Sequence, residues 1–165
     1  MISDKDKLTV KELGPVDEDT LARAARSILL LPLNWGSAGK EPVYAVSTES
    51  VAKLFTQKGI PSQTLSPVTT ETRLKDERAM DWVAPTLFVS GLMLSQNPMA
   101  ISLALNVMAS YASDLFKGIR SDPNVKLTVV HAQERAKMSR EVHYEGPASG
   151  LAALVEILSA FESKD

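Results

Sequence analysis

The chain of 165 residues contains no cysteine. That excludes disulfides, thiolate nucleophiles and cysteine-based zinc or iron–sulfur sites, and it is compatible with a reducing compartment. Charge of one sign is also lacking. The formal net charge is −2, with no basic stripe of the kind a nucleic-acid surface requires, so no nucleic-acid partner is expected. The opening Met1-Ile2-Ser3-Asp4-Lys5-Asp6-Lys7 has no apolar core and does not read as a signal peptide. A cytoplasmic protein is the expectation. Internal repeats, low-complexity tracts and linkers are absent. The length suits one domain spanning 1–165, with a possible lobe boundary in the polar connector near 66–81.

One further absence is local. Between Asp81 and Asp114 there is no charged residue, whereas the sequence on either side is dotted with charge. Ser95-Gln96-Asn97-Pro98 divides this stretch in two. Asn97 suits an N-cap and Pro98 the first helical position, where its missing N–H costs nothing. The sequence therefore predicts an apolar helical hairpin, about Pro85–Ser95 and then about Pro98–Lys117. In the second helix Ile101, Leu105, Met108, Ala112, Leu115 and Ile119 form one apolar seam at spacings of four and three. Ser102, Asn106, Ser110, Ser113 and Lys117 form a thin polar stripe.

Three readings of 82–113 follow. It is the core of a globular domain, a subunit interface, or a membrane-inserting pair. Each helix is shorter than the roughly 20 residues a membrane span needs, and no Lys or Arg cluster sets an orientation. If the seam faces the core, Leu103, Ala104, Val107 and Tyr111 still need cover. A copy of the same helix is the simplest cover, so these four are candidate interface residues of a homo-oligomer.

Upstream, Lys7–Leu13 predicts a short edge strand, broken by Gly14-Pro15. Asp17 caps a helix with Glu18 and Asp19 in its first turn, and Val16 meets Leu21 as a hydrophobic staple. Leu21, Ala24, Ala25 and Ile28 form its buried face, and it stops before Pro32. Val43–Ser47 reads as a strand, and the following helix buries Val51, Leu54 and Phe55 before Gly59 ends it. Gln63–Leu65 is a further strand, so a small strand–helix–strand unit with a parallel pair is predicted.

Downstream, Val125, Leu127 and Val129 alternate with Lys126 and Thr128. A second strand runs from about Met138 to Glu145, with Val142 and Tyr144 facing inward and Gln133–Lys137 as the hairpin tip. Gly146 or Ser149 caps a last helix with Leu151, Leu154, Val155, Leu158 and Phe161 on one face. The fold class is α+β: a central apolar helical hairpin, a small N-terminal strand–helix–strand unit, and a C-terminal β-hairpin followed by a packed helix.

No motif names a chemistry. The loop of residues 36–39 follows Trp35, but its spacing is wrong for a phosphate loop, and Glu41-Pro42 leaves no helix start behind it. It is an alternative ligand or enzyme site, with Trp35 more simply folded onto the core. With a tip centred near Lys137, His131 and His143 face each other across the hairpin as weak metal candidates, with Glu141 or Glu145 as the third ligand. Two half-exposed strand residues are the simpler account. Arg135, Lys137 and Arg140 form a small basic tip diluted by Glu134 and Glu141. Asp81-Trp82 is a candidate site rim, or else a solvated carboxylate beside a core indole. No Gly-x-Ser-x-Gly elbow and no cofactor motif occurs. The expected function is a non-enzymatic protein-interaction or self-assembly module that buries an apolar helix face. A membrane-active protein and a small enzyme or ligand-binding domain are the alternatives.

Overall fold

The computed structural model describes residues 7–36, 40–68, 71–72, 81–119, 121–133 and 138–162. Its centre is the hairpin of β8 (Asn124–Gln133) and β9 (Met138–Pro147). The alternating Val125, Leu127 and Val129 on β8 pair with Gly146, Tyr144 and Val142 on β9, so one face of the hairpin is apolar. β1 (Lys7–Leu13) pairs antiparallel with the outer side of β9. On the inner side of β8 lie β6 (Asp81–Val83) and β7 (Thr86–Ser90), both parallel to it. Ala84-Pro85 separates β6 from β7, because proline has no N–H to give a ladder. β2 (Ile28–Leu31) and β4 (Ser62–Thr64) complete a mixed sheet in the order β1-β9-β8-β7-β2-β4.

The architecture is α+β, and the C-terminal hairpin followed by a packed helix is present. One face of the sheet carries the main core. α2 (Thr48–Gln57), α3 (Gly91–Gln96), α4 (Pro98–Leu115), a 3-10 turn (Ala148–Ala153) and α5 (Leu154–Glu162) all lie on it. The other face carries a smaller cluster in which α1 (Glu18–Ala24) and Trp35 cover Leu29, Leu31, Phe88, Val130 and Ala132. Beyond that cover, the β1-β9-β8 part of this face is polar.

Two predicted helices give way to strands. Ile28–Leu31 continues no helix: α1 ends at Ala24, and the four residues form a strand between β4 and β7, with all four side chains fully buried. Thr86–Ser90 is likewise a strand and not the first half of a helix, so the helix before Asn97 is only Gly91–Gln96. Both runs are buried on both faces. A strand in that position reads as continuous apolar sequence, which periodicity cannot separate from a buried helix. The predicted parallel pair of the N-terminal unit is also replaced. β4 pairs with β2, and β3 (Tyr44–Ala45) pairs with β5 (Glu71–Thr72).

The helix caps follow their expected chemistry. Asp17 accepts from the backbone N–H and the hydroxyl of Thr20, at 3.0 and 2.8 Å, and these bonds hold its carboxyl below the usual carboxylate range. Asn97 Oδ1 accepts from Ala100 N at 3.3 Å, with Pro98 opening α4. Of the predicted seam, Ile101, Leu105, Met108 and Ala112 are buried. Leu115 ends the helix exposed, and Ile119 lies beyond it, also exposed. The last helix is preceded by the 3-10 turn and has no side-chain cap at that turn's start. Ser149 instead bonds Asp122 through both its backbone N–H and its hydroxyl.

Candidate functional site

Two clusters lie at opposite ends of the parallel β7–β8 pair. At the end where β6 and β8 begin, a cleft of about 200 Å³ opens to solvent. Asp81, Trp82 and Val83 of β6 line it together with Ala45 at the end of β3 and Val46 and Ser47 of the β3–α2 turn. Tyr111 and Leu115 on the last turns of α4 and Leu33 just after β2 complete it. Among the described residues β6 pairs with β8 alone, so its second edge has no neighbouring strand.

The floor of the cleft is aromatic. Trp82 and Tyr111 pack with ring centroids 5.2 Å apart. The Trp82 indole N–H donates to Ser47 Oγ at 3.1 Å, a bond that ties β6 to the start of α2. Ser47 stands at the N-cap position of α2 but makes no side-chain cap bond, so its hydroxyl is turned to the indole instead. The rim is aliphatic and open: Leu33, Val46 and Leu115 are 36%, 52% and 53% exposed. Among the described residues, these are large apolar side chains left in water around a pre-formed apolar floor.

Among the described residues, Asp81 is the one charged residue in the lining. Its carboxylate lies 3.7 Å from Lys126 Nζ, an ion-pair distance too long for a hydrogen bond. No nucleophile with an adjacent base lines the cleft among the described residues. Among these residues its lining is mostly apolar, with one acceptor carboxylate. A cavity of about 150 Å³ holds a benzene ring, whereas sites for drug-sized ligands begin at about 300 Å³. The cleft therefore fits one large side chain and not a nucleotide-sized cofactor.

The opposite end is polar and filled from within. Here β7 ends at Ser90, whose hydroxyl donates to Ala24 O and accepts from Met93 N. The last turn of α5 lies over this end. Gln133 Nε2 donates to Phe161 O at 2.8 Å, and the Arg140 guanidinium stands 4.8 Å from the Phe161 ring centroid. The Glu162 carboxylate sits so close against Gly91 that a Cβ there would run into it. Buried His131 lies below, with Nε2 3.6 Å from Glu162 Oε2. The crevice at the carboxyl ends of parallel strands is the usual ligand position in α/β units. In this chain Phe161 and Glu162 occupy it.

The two histidines do not meet. His131 pairs with Arg140 and His143 with Thr128, so the register centres the hairpin between residues 135 and 136 and not near Lys137. The shift puts His131 on the helix-covered face and His143 on the polar one. The account of two half-exposed strand residues therefore fails for His131, which is buried. Among the described residues no group of three or more His, Asp or Glu side chains is placed to hold a metal.

His143 instead joins a chain of polar contacts. Nδ1 lies 2.9 Å from Thr128 Oγ1, and Nε2 lies 3.2 Å from Glu145 Oε1. The order hydroxyl, imidazole, carboxylate resembles a hydrolytic triad. However, β9 is paired on both sides here, so the nearby backbone N–H groups are committed to ladders and cannot form an oxyanion hole. The contacts read as cross-strand pairing on an open sheet face.

The four candidate interface residues are split. Ala104 and Val107 are buried in the chain's own core, Tyr111 is half-buried in the cleft against Trp82, and Leu103 is exposed. The surface next to Ala104 and Val107 is thus already covered, by this chain. Trp35 packs edge-on against Phe88, with ring centroids 6.0 Å apart, as a core indole. Of the loop after it, residues 37–39 lie outside the described residues. So do the N-terminal arm of residues 1–6, most of the 66–81 connector, and Glu134 to Lys137 of the basic tip. Among the described residues no helix is long and apolar enough to cross a membrane.

No protein-family model matches the chain, and neither the curated proteins nor the solved structures include one that is similar to it. The cleft was only partly visible in the sequence. Asp81-Trp82 and Tyr111 stood out there, but Leu33, Val46 and Ser47 carry no local signal. They reach the cleft through the pairing of β2 and the turn that follows β3.

Proposed function

We propose that this chain is a non-enzymatic protein-interaction module that holds one apolar side chain of a partner protein in the cleft between β6 and the β3–α2 turn. The observation that carries the reading is the exposed rim of Leu33, Val46 and Leu115 around the Trp82–Tyr111 floor. Among the described residues the second edge of β6 has no strand beside it, which favours an extended peptide over a free small molecule, because backbone pairing along an edge and a pocket for one side chain are complementary modes of peptide recognition. A peptide anchor of this kind works by desolvating one large apolar group, which is how a small area of an interface comes to dominate its energy. The end of α4 contributes Tyr111 and Leu115, so an apolar helix face is part of the surface.

Selection of a random peptide library on the protein tests this. The expected result is enrichment of peptides sharing one aromatic or long aliphatic anchor, with binding lost in Val46→Glu. Peptides that bind Val46→Glu as well as the parent would contradict it.

A second reading, self-association, is favoured by a different observation. At the other end of α4, Met99 and Leu103 are 76% and 39% exposed, beside a groove lined by Ile60 and Pro61. Light scattering checks it. A dimer that becomes a folded monomer in Met99→Glu/Leu103→Glu is the expected signature, and a monomer at high micromolar concentration rules it out.

A further inference from the structure

β2 pairs antiparallel with β7 as far as Leu31, opposite Thr86. Beyond it Pro32 has no N–H to give, and the Leu33 N–H turns away to Val43 O at 2.7 Å. β6 lies on the same side of β8 as β7, so the lane that β2 leaves runs on beside β6. Among the described residues no strand fills that lane, and both β6 and Leu33 line the cleft. We infer that an extended segment of the partner fills this lane antiparallel to β6, with Val83 as the residue that exchanges backbone hydrogen bonds with it. The inference rests on the proposed reading of the cleft and adds the direction and register of what enters it.

The ladder identifies Val83. It stands opposite Lys126 in the parallel β6–β8 pair, and the next residue, Ala84, donates its N–H to Lys126 O at 3.0 Å. Backbone groups alternate between the two edges of a strand, so the N–H and C=O of Val83 point away from β8. Among the described residues neither group has a partner. Unpaired edge groups of this kind are a template for an added strand. The direction follows from the lane, because β2 is antiparallel to β7 while β6 and β7 are both parallel to β8. In an antiparallel pair the residue opposite Val83 exchanges both hydrogen bonds with it. The following residue of the segment then stands opposite Trp82, with its side chain on the same face as the indole. That side chain is the apolar anchor.

Three probes separate backbone pairing from apolar filling. N-acetyl-glycyl-phenylalaninamide offers its glycine to Val83 and its phenyl ring to the cleft. N-acetyl-sarcosyl-phenylalaninamide differs by one methyl group on the glycine nitrogen, which removes the N–H that donates to Val83 O. Phenethyl alcohol has no peptide group. Each is titrated into labelled protein and read by the NMR shift of the Trp82 indole N–H, assigned with Trp35→Phe, and by hydrogen exchange at the Val83 amide. In the free protein the Val83 amide should exchange fast and the Ala84 amide slowly. The glycyl probe is expected to bind about three- to ten-fold more tightly than the sarcosyl probe, the factor one net hydrogen bond supplies. It should also slow exchange at Val83 as it saturates, whereas phenethyl alcohol should move the Trp82 signal without that protection.

Equal binding of the two peptides, or exchange at Val83 that saturation leaves unchanged, would overturn edge pairing and leave the apolar cleft standing. A Val83 amide already protected in the free protein would show the edge covered by this chain or by a second copy, and would overturn it as well. Failure of every probe to move the Trp82 signal would remove the cleft reading itself, and this inference with it.

Discussion

The two ends of the β7–β8 pair are made by the same strands and differ in what covers them. At the carboxyl end, His131, Gln133, Arg140 and Glu162 gather under the last turn of α5, and the chain fills its own crevice with Phe161 and Glu162. At the amino end, Trp82 and Tyr111 floor a cleft that nothing among the described residues fills. The chain thus hides the side chains that look chemically useful and exposes the apolar ones. At the closed end Ser90 and Gln133 have hydrogen-bond partners, His131 stands beside the Glu162 carboxylate and Arg140 over the Phe161 ring, contacts that reduce the penalty of burying them. Among the described residues, the apolar side chains at the rim of the open end are left exposed.

The comparison breaks most visibly with one substitution made at both ends. Leu158→Ala removes a buried anchor of α5 and should cost about 2–5 kcal/mol in denaturant melts. Leu115→Ala at the rim should change stability by no more than about 0.5 kcal/mol while weakening any cleft ligand. Similar costs at the two positions would mean that the rim is as tightly packed as the plug.

The histidines give the next contrast. His131→Ala empties a buried position beneath Glu162 and should cost about 1–3 kcal/mol. His143→Ala, with its side chain 35% exposed, should stay within about 0.5 kcal/mol. Equal melting temperatures for the two variants would contradict the register that separates them.

Smaller effects sharpen the account. Gly91→Ala places a methyl where the Glu162 carboxylate sits. The carboxylate is the mobile end of a side chain and can move aside, so the expected cost is only about 1 kcal/mol, the low end for inserted volume. Faster amide exchange in the last turn of α5 should accompany it. Away from both ends, Asp17→Ala should cost about 1 kcal/mol at pH 7 through loss of the α1 cap. The folded pKa of Asp17 is depressed below 3.8, so the cap's contribution is present above that value and disappears as pH falls through the folded pKa. A difference between parent and variant that grows as the pH is lowered would contradict this origin.

The main core and the helix caps were largely legible in the sequence, because their signals are local. Alternation in Val125–Val129, the seam of Ile101, Leu105, Met108 and Ala112, and the caps at Asp17 and Asn97 each follow from a few neighbouring residues. Ile28–Leu31 and Thr86–Ser90 were not legible, since a strand buried on both faces has no period to read. The histidine positions depended on where the hairpin turns, and a small change of register moves a side chain to the other face. The open cleft was the least legible. Ala45–Ser47 reach the cleft beside β6 through contacts distant in sequence, such as the Trp82–Ser47 bond, and these leave no local trace.

The most direct test of the account is where a neutral apolar probe lands on the intact protein. With phenethyl alcohol titrated into labelled protein, the account predicts saturable NMR shifts at Val46, Ser47, the Trp82 indole N–H and Leu115, with His131 and Gln133 unmoved. Shifts centred on His131 and Gln133, with the Trp82 signal unchanged, would show that the end filled by α5 is the true site and would contradict the account.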